Sequence, residues 1–268
     1  MDQTKSTVLD KVEAVKILKK IAVITGASAG IGESTTRILA KNGYRVIATA
    51  RREDRLKTLS EGLVESGLEA SYIAGDIREE NFIHKILNNG IEKWNRPADA
   101  FILCAGRGLP GTLLTSDPKG WQDLINTNYI SVMHQLRSVG THFAELAKNE
   151  NCSTVRDILV IGSTVGRQVS AGNPVYGSTK FAVHSLVESL RGELCNLGIR
   201  VTLIEPGFVK SDFQESAGYD MKWFRSIENE IGPLLTPDDI AETIRFVIQQ
   251  PPHVHLDDIR IRPTRQKV

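Results

Sequence analysis

The sequence predicts a single α/β domain with a doubly wound parallel sheet and helices on both faces. Short apolar segments without polar alternation, such as Ile21–Thr25, are typical of strands that are buried on both sides. Longer helical stretches separate these segments, which indicates parallel strands joined by crossover helices. At 268 residues the chain is long enough to bury a substantial core as one domain.

The predicted elements alternate regularly from residue 20 onward. The first strand, Ile21–Thr25, leads through a glycine-rich turn into a helix near Ile31–Asn42. The further predicted strands are Arg45–Ala50, Ala70–Ala74, Asp99–Cys104, Asp157–Gly162, Val201–Glu205 and Ile259–Arg262. The further predicted helices are Arg52–Ser66, Glu79–Trp94, Lys119–Ala147, Val175–Leu197 and Pro237–Gln249. No repeat or linker divides residues 20–268, which we therefore treat as one domain.

Two segments fall outside this alternation. Residues 1–19 form an N-terminal extension in which a partial helical pattern predicts a short helix, and its charges disfavour a targeting peptide. Residues 208–235 hold glycines, aromatic residues and charges without a clear period. We expect this second segment to pass over the carboxyl edge of the sheet, where ligands bind in such folds, and to act as a substrate lid.

Composition and charge exclude several classes of function. The formal net charge of +1 argues against a protein that binds nucleic acid or an anionic membrane. No apolar run approaches the ~20 residues that span a bilayer. Cys104, Cys152 and Cys195 are scattered and have no metal-ligand spacing with the histidines, so we expect neither a metal site nor disulfides. The expected compartment is the reducing cytoplasm.

A glycine-rich turn connects the first strand to the first helix. Gly26, Gly30 and Gly32, with Ser28 and Ile31 between them, form the pattern GxxxGxG. Glycines allow the backbone N–H groups to approach a pyrophosphate closely, and the helix start adds the positive end of its dipole. A purely structural turn is the alternative, but the strand–turn–helix context favours dinucleotide binding.

The end of the second strand indicates which dinucleotide is bound. A carboxylate there would bind the ribose hydroxyls and repel a 2′-phosphate, but the sequence reads Thr49-Ala-Arg-Arg52. Arg51, together with Arg52 and the Ser28 hydroxyl, can hold a 2′-phosphate by charge-assisted hydrogen bonds. NADP(H) is therefore favoured over NAD(H), the alternative being a solvated basic helix start.

Ser163, Tyr176 and Lys180 are the candidate catalytic residues. Tyr176 and Lys180 are four positions apart, so on a helix they share one face. We expect the lysine ammonium to lower the pKa of the phenol below its usual value of about 10, and the serine to orient a substrate oxygen. The alternative is a surface pair on a helix, because the Tyr-x-x-x-Lys spacing alone is a weak signal.

Taken together, these motifs resemble the short-chain dehydrogenase/reductase family from Lys20 to about residue 250. The GxxxGxG turn, an Ala-Gly pair after the fourth strand, Ser163, Tyr176 with Lys180, and Pro206-Gly207 occur in the family's order. The resemblance implies a single-domain Rossmann-like fold. Narrower similarity, carried by Gly162–Gly166 and the ending Ile261–Thr264 among other segments, points to NADP-dependent 3-hydroxy acid (serine-type) dehydrogenases.

The resemblance also implies roles for individual residues. Tyr176 would exchange a proton with the substrate oxygen, Ser163 would bind that oxygen, and Lys180 would contact the nicotinamide ribose while lowering the pKa of the tyrosine. Asn128 would support a proton-relay water, unless it only satisfies a helix irregularity. The implied cofactor contacts also include Asp76, Ile77, Cys104, Ala105, Gly106, Pro206, Gly207, Val209 and Ser211.

One motif departs from the family. Leu103 and Cys104 stand where the family has two asparagines, which puts the local hydrogen bonding of the sheet in doubt. The Ala105-Gly106 pair should still let the backbone pass close to the cofactor. For Cys104 we favour a small buried residue over a redox role.

The substrate stays open at this point. A 3-hydroxy acid is the first candidate, and broad reduction of ketones, aldehydes or quinones is the alternative. Arg107 or Arg167 could bind a substrate carboxylate or be surface arginines, and Phe213 and Trp223 could line the pocket or anchor the lid. A non-catalytic NADP(H)-binding sensor is less favoured because the Ser, Tyr and Lys set is complete. The tail implies a homo-oligomer, a tetramer or a dimer.

Overall fold

The computed structural model describes residues 19–267, so the helix predicted within residues 1–19 lies outside the described residues. Seven parallel strands form one sheet in the order β3-β2-β1-β4-β5-β6-β7. Their bounds are β1 Ile21–Thr25, β2 Arg45–Ala50, β3 Ala70–Ala74, β4 Ala100–Leu103, β5 Arg156–Ile161, β6 Ile199–Pro206 and β7 Asp258–Ile261. The prediction of a doubly wound parallel sheet is confirmed.

Helices cover both faces of this sheet. The α-helices are α1 Gly30–Lys41, α2 Glu53–Glu65, α3 Glu80–Trp94, α4 Trp121–Ile125, α5 Ser131–Asn149, α6 Pro174–Leu194, α7 Phe213–Ser216, α8 Met221–Ile231 and α9 Pro237–Ile248. Successive side chains of a strand point to opposite faces. In β1, Ile21 and Val23 pack with α3, α5 and α6, whereas Ala22 and Ile24 pack with α1, α2 and α9. This double burial explains why the strands lack polar alternation.

The predicted helix Lys119–Ala147 is divided in the structure. It begins as a 3₁₀ turn, Pro118–Gly120, and continues as α4, a π-helical segment Asn126–Ile130 and then α5. Hydrophobic periodicity reports an amphipathic helix but does not register the one extra residue of a π turn.

The irregular segment 208–235 contains more helix than its sequence pattern indicated. It holds α7 and α8, and its two ends lie together, because Leu235 N–H donates to the Phe208 carbonyl and Lys210 N–H donates to the Leu235 carbonyl. The segment therefore leaves the end of β6 and returns to it. This geometry places it over the carboxyl edge of the sheet.

The strand order reverses between β1 and β4. The connection after β1 leads to β2 on one side of the sheet, and the connection after β4 leads to β5 on the other side. At such a switch point the loops after the two strands diverge and leave a crevice. The ligand site is expected at this point of the fold.

Candidate active site

A cavity of ≈ 1210 Å³ lies at the carboxyl ends of β1 to β6. Nearly all the residues that the sequence nominated line it. They are Gly26, Ser28, Gly30, Ile31, Gly32, Arg51, Arg52, Asp76, Ile77, Cys104, Ala105, Gly106, Ser163, Tyr176, Lys180, Pro206, Gly207, Val209 and Ser211. Asn128 lies behind the wall, and Arg167, a candidate for binding a substrate carboxylate, also lies outside it.

The glycine turn fits a phosphate group by its backbone geometry. Gly26 and Gly30 have φ of +69° and +53°, in the region that favours glycine. A Cβ on Gly26 would lie 2.8 Å from Ala105 N, and a Cβ on Gly32 would overlap the Gly26 carbonyl oxygen. Helix α1 begins at Gly30, and its N-cap Ala29 supplies no side-chain cap. The start of α1 therefore presents backbone N–H groups to the cavity, as a bound pyrophosphate requires.

Two arginines follow β2 at the same end of the cavity. Arg52 donates from Nε and Nη2 to the Ser28 hydroxyl, at 3.1 and 2.9 Å, so the predicted grouping of Arg52 with Ser28 is present. Arg51 also lines the wall, and Asp76, which follows the neighbouring strand β3, pairs with Arg78 at 2.9 Å. Hydrogen bonding from Arg78 lowers the pKa of Asp76, so the nearby carboxylate already has its own cation. The positive charges of Arg51 and Arg52 suit a ribose phosphate.

Ser163, Tyr176 and Lys180 meet in the middle of the cavity wall. Ser163 precedes the 3₁₀ turn Thr164–Gly166 after β5, and its side chain hydrogen-bonds Tyr176. Tyr176 lies in the first turn of α6, and Lys180 follows on the same face with its Nζ 5.7 Å from the centre of the tyrosine ring. The Lys180 ammonium donates to the Ile161 carbonyl at 2.8 Å. The predicted helical pairing is present.

The pKa values differ from the expectation. Desolvation raises the pKa of the Tyr176 phenol above its usual value, Tyr219 adds to the rise, and only the Ser163 hydrogen bond opposes it. Burial also lowers the pKa of Lys180 to about 8. The predicted lowering of the tyrosine pKa by Lys180 is therefore wrong for this arrangement, because the ammonium is directed to Ile161 rather than to the phenolic oxygen. Tyr176 is held as a neutral phenol.

Asn128 lies in the π-helical segment and is buried. Its Oδ1 accepts from Arg107 N–H at 2.9 Å, and its Nδ2 donates to the Arg107 carbonyl at 2.8 Å. The irregular turn thus directs an amide into the loop after β4 and fixes the backbone there. This supports the structural alternative for Asn128, and its role in a proton relay stays a prediction.

The Leu103-Cys104 departure is accommodated by the sheet. Leu103 is buried in β4, and Cys104 and Ala105 both donate their N–H groups to the Thr25 hydroxyl, each at 3.2 Å. The threonine thus supports the loop from the neighbouring strand. Burial raises the pKa of the Cys104 thiol to about 12, so it stays protonated and packs as a small apolar residue.

Both candidate carboxylate-binding arginines are engaged elsewhere. Arg107 lines the cavity but pairs with Asp123. Arg167 is outside the described cavity wall and binds Glu205 at 2.9 Å and Asp258 at 2.6 Å. The hypothesis that Arg167 binds the substrate is not supported, because its Nε and Nη2 are paired with protein carboxylates.

Aromatic rings from the segment 208–235 close the other side of the cavity. Phe213 packs edge-on against Tyr176, and Trp223 packs against Tyr219 and Phe208, with ring centres 6.1 to 6.3 Å apart. Phe213 and Trp223 both line the wall, as expected for pocket residues. Sequence reasoning missed Tyr219, although its lid position beside Trp223 was a usable signal.

Sequence reasoning also missed Gln266, which lines the cavity from the C-terminal tail. Its Oε1 accepts from Phe208 N–H at 3.0 Å, beside Gly207. No sequence signal could have found it, because the position of the tail depends on the pairing of β7 with β6.

Across residues 19–267, no helix is long and apolar enough to cross a membrane. In the same range, no group of three His, Cys, Asp or Glu side chains is placed to hold a metal ion.

Comparisons with known proteins agree with this geometry. A sequence profile of the family described as short chain dehydrogenase matches residues 20–222. The chain is 33% identical over 250 residues to an NADP-dependent 3-hydroxy acid dehydrogenase of Salmonella typhi, covering 92% of this chain and 96% of that protein. It is 31% identical over 258 residues to dehydrogenase/reductase SDR family member 11 of Mus musculus, covering 92% and 95%.

Solved structures show the same likeness. The closed form of a serine dehydrogenase complexed with NADP⁺ superposes with a TM-score of 0.82 at 31% identity, covering 92% of this chain and 96% of that one. An alcohol dehydrogenase of the archaeon Thermococcus sibiricus, complexed with 5-hydroxy-NADP, superposes with a TM-score of 0.79 at 26% identity, covering 94% and 99%.

Proposed function

The chain belongs to the short-chain dehydrogenase family, and from that premise we propose that it transfers a hydride between NADP(H) and the hydroxyl or carbonyl group of a small molecule. One observation carries the proposal: Ser163, Tyr176 and Lys180 share a cavity wall with the glycine turn and with Arg51 and Arg52. A proton-transfer group and a dinucleotide site thus face the same space.

The residues present fit NADP(H). The open N–H groups of α1 suit the pyrophosphate, and Arg51 and Arg52 suit the 2′-phosphate. Pro206, Gly207, Val209 and Ser211 line the same cavity as Lys180 and would surround the nicotinamide. When bound, the cofactor supplies or accepts the hydride.

The side chains of this protein would handle the proton and the developing charge. In the reductive direction Tyr176 donates its phenolic proton to the substrate oxygen, and a neutral phenol is the form that burial favours. The Ser163 hydroxyl hydrogen-bonds the same oxygen and stabilises its negative charge. Lys180, whose Nζ lies 5.7 Å from the centre of the tyrosine ring, would contact the nicotinamide ribose.

Two substrate classes compete for this site. A 3-hydroxy acid is supported by the similarity to two proteins. One is the NADP-dependent 3-hydroxy acid dehydrogenase of Salmonella typhi, and the other is the serine dehydrogenase complexed with NADP⁺. A neutral ketone, aldehyde or quinone is favoured by one feature of the cavity. Its substrate side is walled by Phe213, Tyr219 and Trp223, and the nearby Arg107 is already paired with Asp123.

A matched pair of substrates tests both classes. NADPH oxidation is measured with a 3-keto acid and with its ethyl ester, which has the same carbonyl without the charge. A higher kcat/KM for the acid supports the first class, and a higher value for the ester supports the second. If neither compound oxidises NADPH, and no member of a panel of simple ketones and quinones does so, the catalytic proposal is contradicted. A sensor that only binds NADP(H) would then be favoured.

Tyr176→Phe tests the assigned proton donor. The variant keeps the ring and its packing against Phe213 but removes the hydroxyl. We expect kcat to fall by a factor of about 10² to 10⁴, the usual contribution of general acid–base catalysis, with NADPH affinity unchanged. Steady-state kinetics and NADPH fluorescence titration measure the two quantities. A near-normal kcat would refute the mechanism.

A further inference from the structure

The loop that carries Ser163 is wrapped around an imidazole ring. His184 lies one turn after Lys180 on α6 and is buried. A Cβ on Gly162 would overlap its Nε2, and a Cβ on Gly166 would overlap its Cε1. The two glycines on either side of Ser163-Thr164-Val165 therefore let the backbone close onto this ring.

His184 makes a direct contact with the backbone of the serine. Ser163 N–H donates to His184 Nε2 at 3.3 Å. A neutral imidazole has one donor and one acceptor nitrogen, so an accepting Nε2 requires that the hydrogen is on Nδ1. Burial, assisted by the positive charges of Lys180 and Arg167, lowers the pKa of His184 to about 4. The ring is therefore neutral and able to accept at neutral pH.

The opposite side of the ring meets a buried carboxylate. Nδ1 of His184 lies 4.0 Å from Oε2 of Glu205, a fully buried residue of β6. In the described part of the chain Nδ1 has no hydrogen-bond partner, so the carboxylate is the group that favours a hydrogen there. The negative charge of Glu205 and the accepting role of Nε2 select the same tautomer.

Glu205 also holds the far end of the serine loop. Arg167, the residue after Gly166, donates from Nε to both carboxylate oxygens at 2.9 and 3.1 Å. Two charged groups of β7 complete the set: Asp258 pairs with Arg167 at 2.6 Å, and Arg260 lies 3.7 Å from Glu205. One buried carboxylate thus binds the loop directly at Arg167 and lies 4.0 Å from the imidazole that accepts the Ser163 N–H.

We propose, on the basis of the proposed function, that His184 is a positioning residue that accepts the hydrogen bond of the Ser163 N–H, fixes the serine backbone and thereby directs the serine hydroxyl toward Tyr176 and the substrate oxygen. His184 itself touches neither. Its effect is transmitted by the Ser163 N–H, since the backbone at Ser163 sets the position of Cβ, from which the hydroxyl extends. The serine hydroxyl is the oxygen-binding group of the reaction, so a shift of it would slow catalysis.

Substitutions of His184 should change turnover without changing cofactor binding. His184→Leu fills the space of the ring but offers no acceptor, and His184→Gln can place an amide oxygen near the position of Nε2. His184→Asn has similar polarity to the glutamine variant but reaches only as far as Nδ1. Ser185→Ala, at the next residue on the exposed side of α6, is the matched control.

We expect His184→Leu and His184→Asn to lower kcat by about tenfold or more, as displaced catalytic groups do, while the KM for NADPH changes less than about twofold. His184→Gln should recover most of the lost kcat, and Ser185→Ala should match the wild type. Glu205→Gln should lower kcat in the same direction. The imidazole nitrogen resonances of wild-type protein should show His184 with Nε2 unprotonated at neutral pH.

Three outcomes would overturn the proposal. They are a normal kcat in both His184→Leu and His184→Asn, an equal loss in His184→Gln and His184→Asn, or a His184 ring protonated at Nε2. If His184→Leu fails to fold, the glutamine and asparagine pair still decides. Inactivity of the wild type towards all carbonyl compounds would count against the proposed function instead, and the nitrogen resonances would still test the His184 contact.

Discussion

Burial shifts the pKa values of Tyr176 and Lys180 in opposite directions. Desolvation disfavours the charged form of each, so it raises the pKa of the phenol and lowers that of the ammonium. A lysine pKa of about 8 still leaves the side chain mostly charged at pH 7. The pair therefore combines a neutral proton donor with a nearby cation, which suits reduction of a carbonyl.

Lys180 should cost stability in a pH-dependent way. Its folded pKa of about 8 lies below the usual lysine value of 10.5, so between these two values the unfolded chain binds more protons than the folded protein. Stability contributed by this group therefore rises with pH across that window. We expect the melting temperature of Lys180→Met, relative to that of the wild type, to be highest at pH 7 and to fall between pH 8 and 10.5. Turnover should be abolished at every pH.

Thermal unfolding of both proteins at a series of pH values measures this difference. Lys148→Met, the same substitution at an exposed position near the end of α5, is the control and should show no trend in that window. A constant difference in melting temperature between Lys180→Met and the wild type would contradict the assignment.

Cofactor preference should depend on the residues after β2. Ala50 and Arg51 both line the cavity. Ala50→Asp with Arg51→Ala places a carboxylate where it can bind ribose hydroxyls and removes a phosphate ligand. A hydrogen bond to a charged group contributes ~1.5–3 kcal/mol, so the ratio of kcat/KM for NADPH to that for NADH should fall at least tenfold. Arg55 does not line the cavity, although its partner Asp212 does, and Arg55→Ala should leave the ratio unchanged.

At the scale of elements, the sequence predicted helices more reliably than their irregularities. The segment 119–147 has the apolar period of one helix, yet the structure inserts a π turn at Asn126–Ile130. The turn is stabilised by tertiary contacts, above all those of Asn128 with the Arg107 backbone. A local pattern does not contain these partners, so it could nominate Asn128 but could not say what it binds.

The glycine turn gives a sharper prediction at this scale. A Cβ on Gly32 would overlap the Gly26 carbonyl, whereas one on Gly62, within α2, meets nothing within 4 Å. Gly62→Ala should stabilise the protein by about 0.5–1 kcal/mol, the helix preference of alanine over glycine. Gly32→Ala should destabilise it and weaken NADP binding because the turn must shift.

Chemical denaturation and NADPH titration of the two alanine variants provide the comparison. The substitution is the same and both sites are helical, so the difference in stability between the two variants does not come from helix propensity. Equal effects at Gly32 and Gly62 would show that the close approach at the turn has no consequence.

At the scale of the whole molecule, one buried ion pair joins the second half of the sheet to the C-terminal segment. Arg200 on β6 binds Asp157 on β5 through two hydrogen bonds of 2.7 and 2.9 Å. It also donates to the carbonyl groups of Gln250 and Val254, at 3.1 and 2.9 Å. Burial raises the pKa of Asp157, and the hydrogen bonds from Arg200 oppose that rise.

Removal of one partner leaves the other charge buried. We expect Arg200→Met to lower the free energy of unfolding by about 3–5 kcal/mol, the range for a broken buried pair. Arg245→Met, which breaks the exposed pair with Glu242 on α9, should cost less than about 1 kcal/mol. Urea denaturation of both variants measures these values, and similar small losses would show that Arg200 does not hold the sheet to the tail.

The sequence by itself determined the fold class, the chain segments of the seven strands, the NADP(H) cofactor and the motif residues that line the cavity. These properties depend on hydrophobic periodicity and on short motifs, which are local in the chain. The placement of Glu205 beneath the serine loop, of Gln266 in the wall and of Arg167 away from it was decided only by the tertiary structure. The same holds for the pKa values of Tyr176 and Lys180. Burial and charge pairing bring together residues far apart in the chain, and a local pattern does not carry those distances.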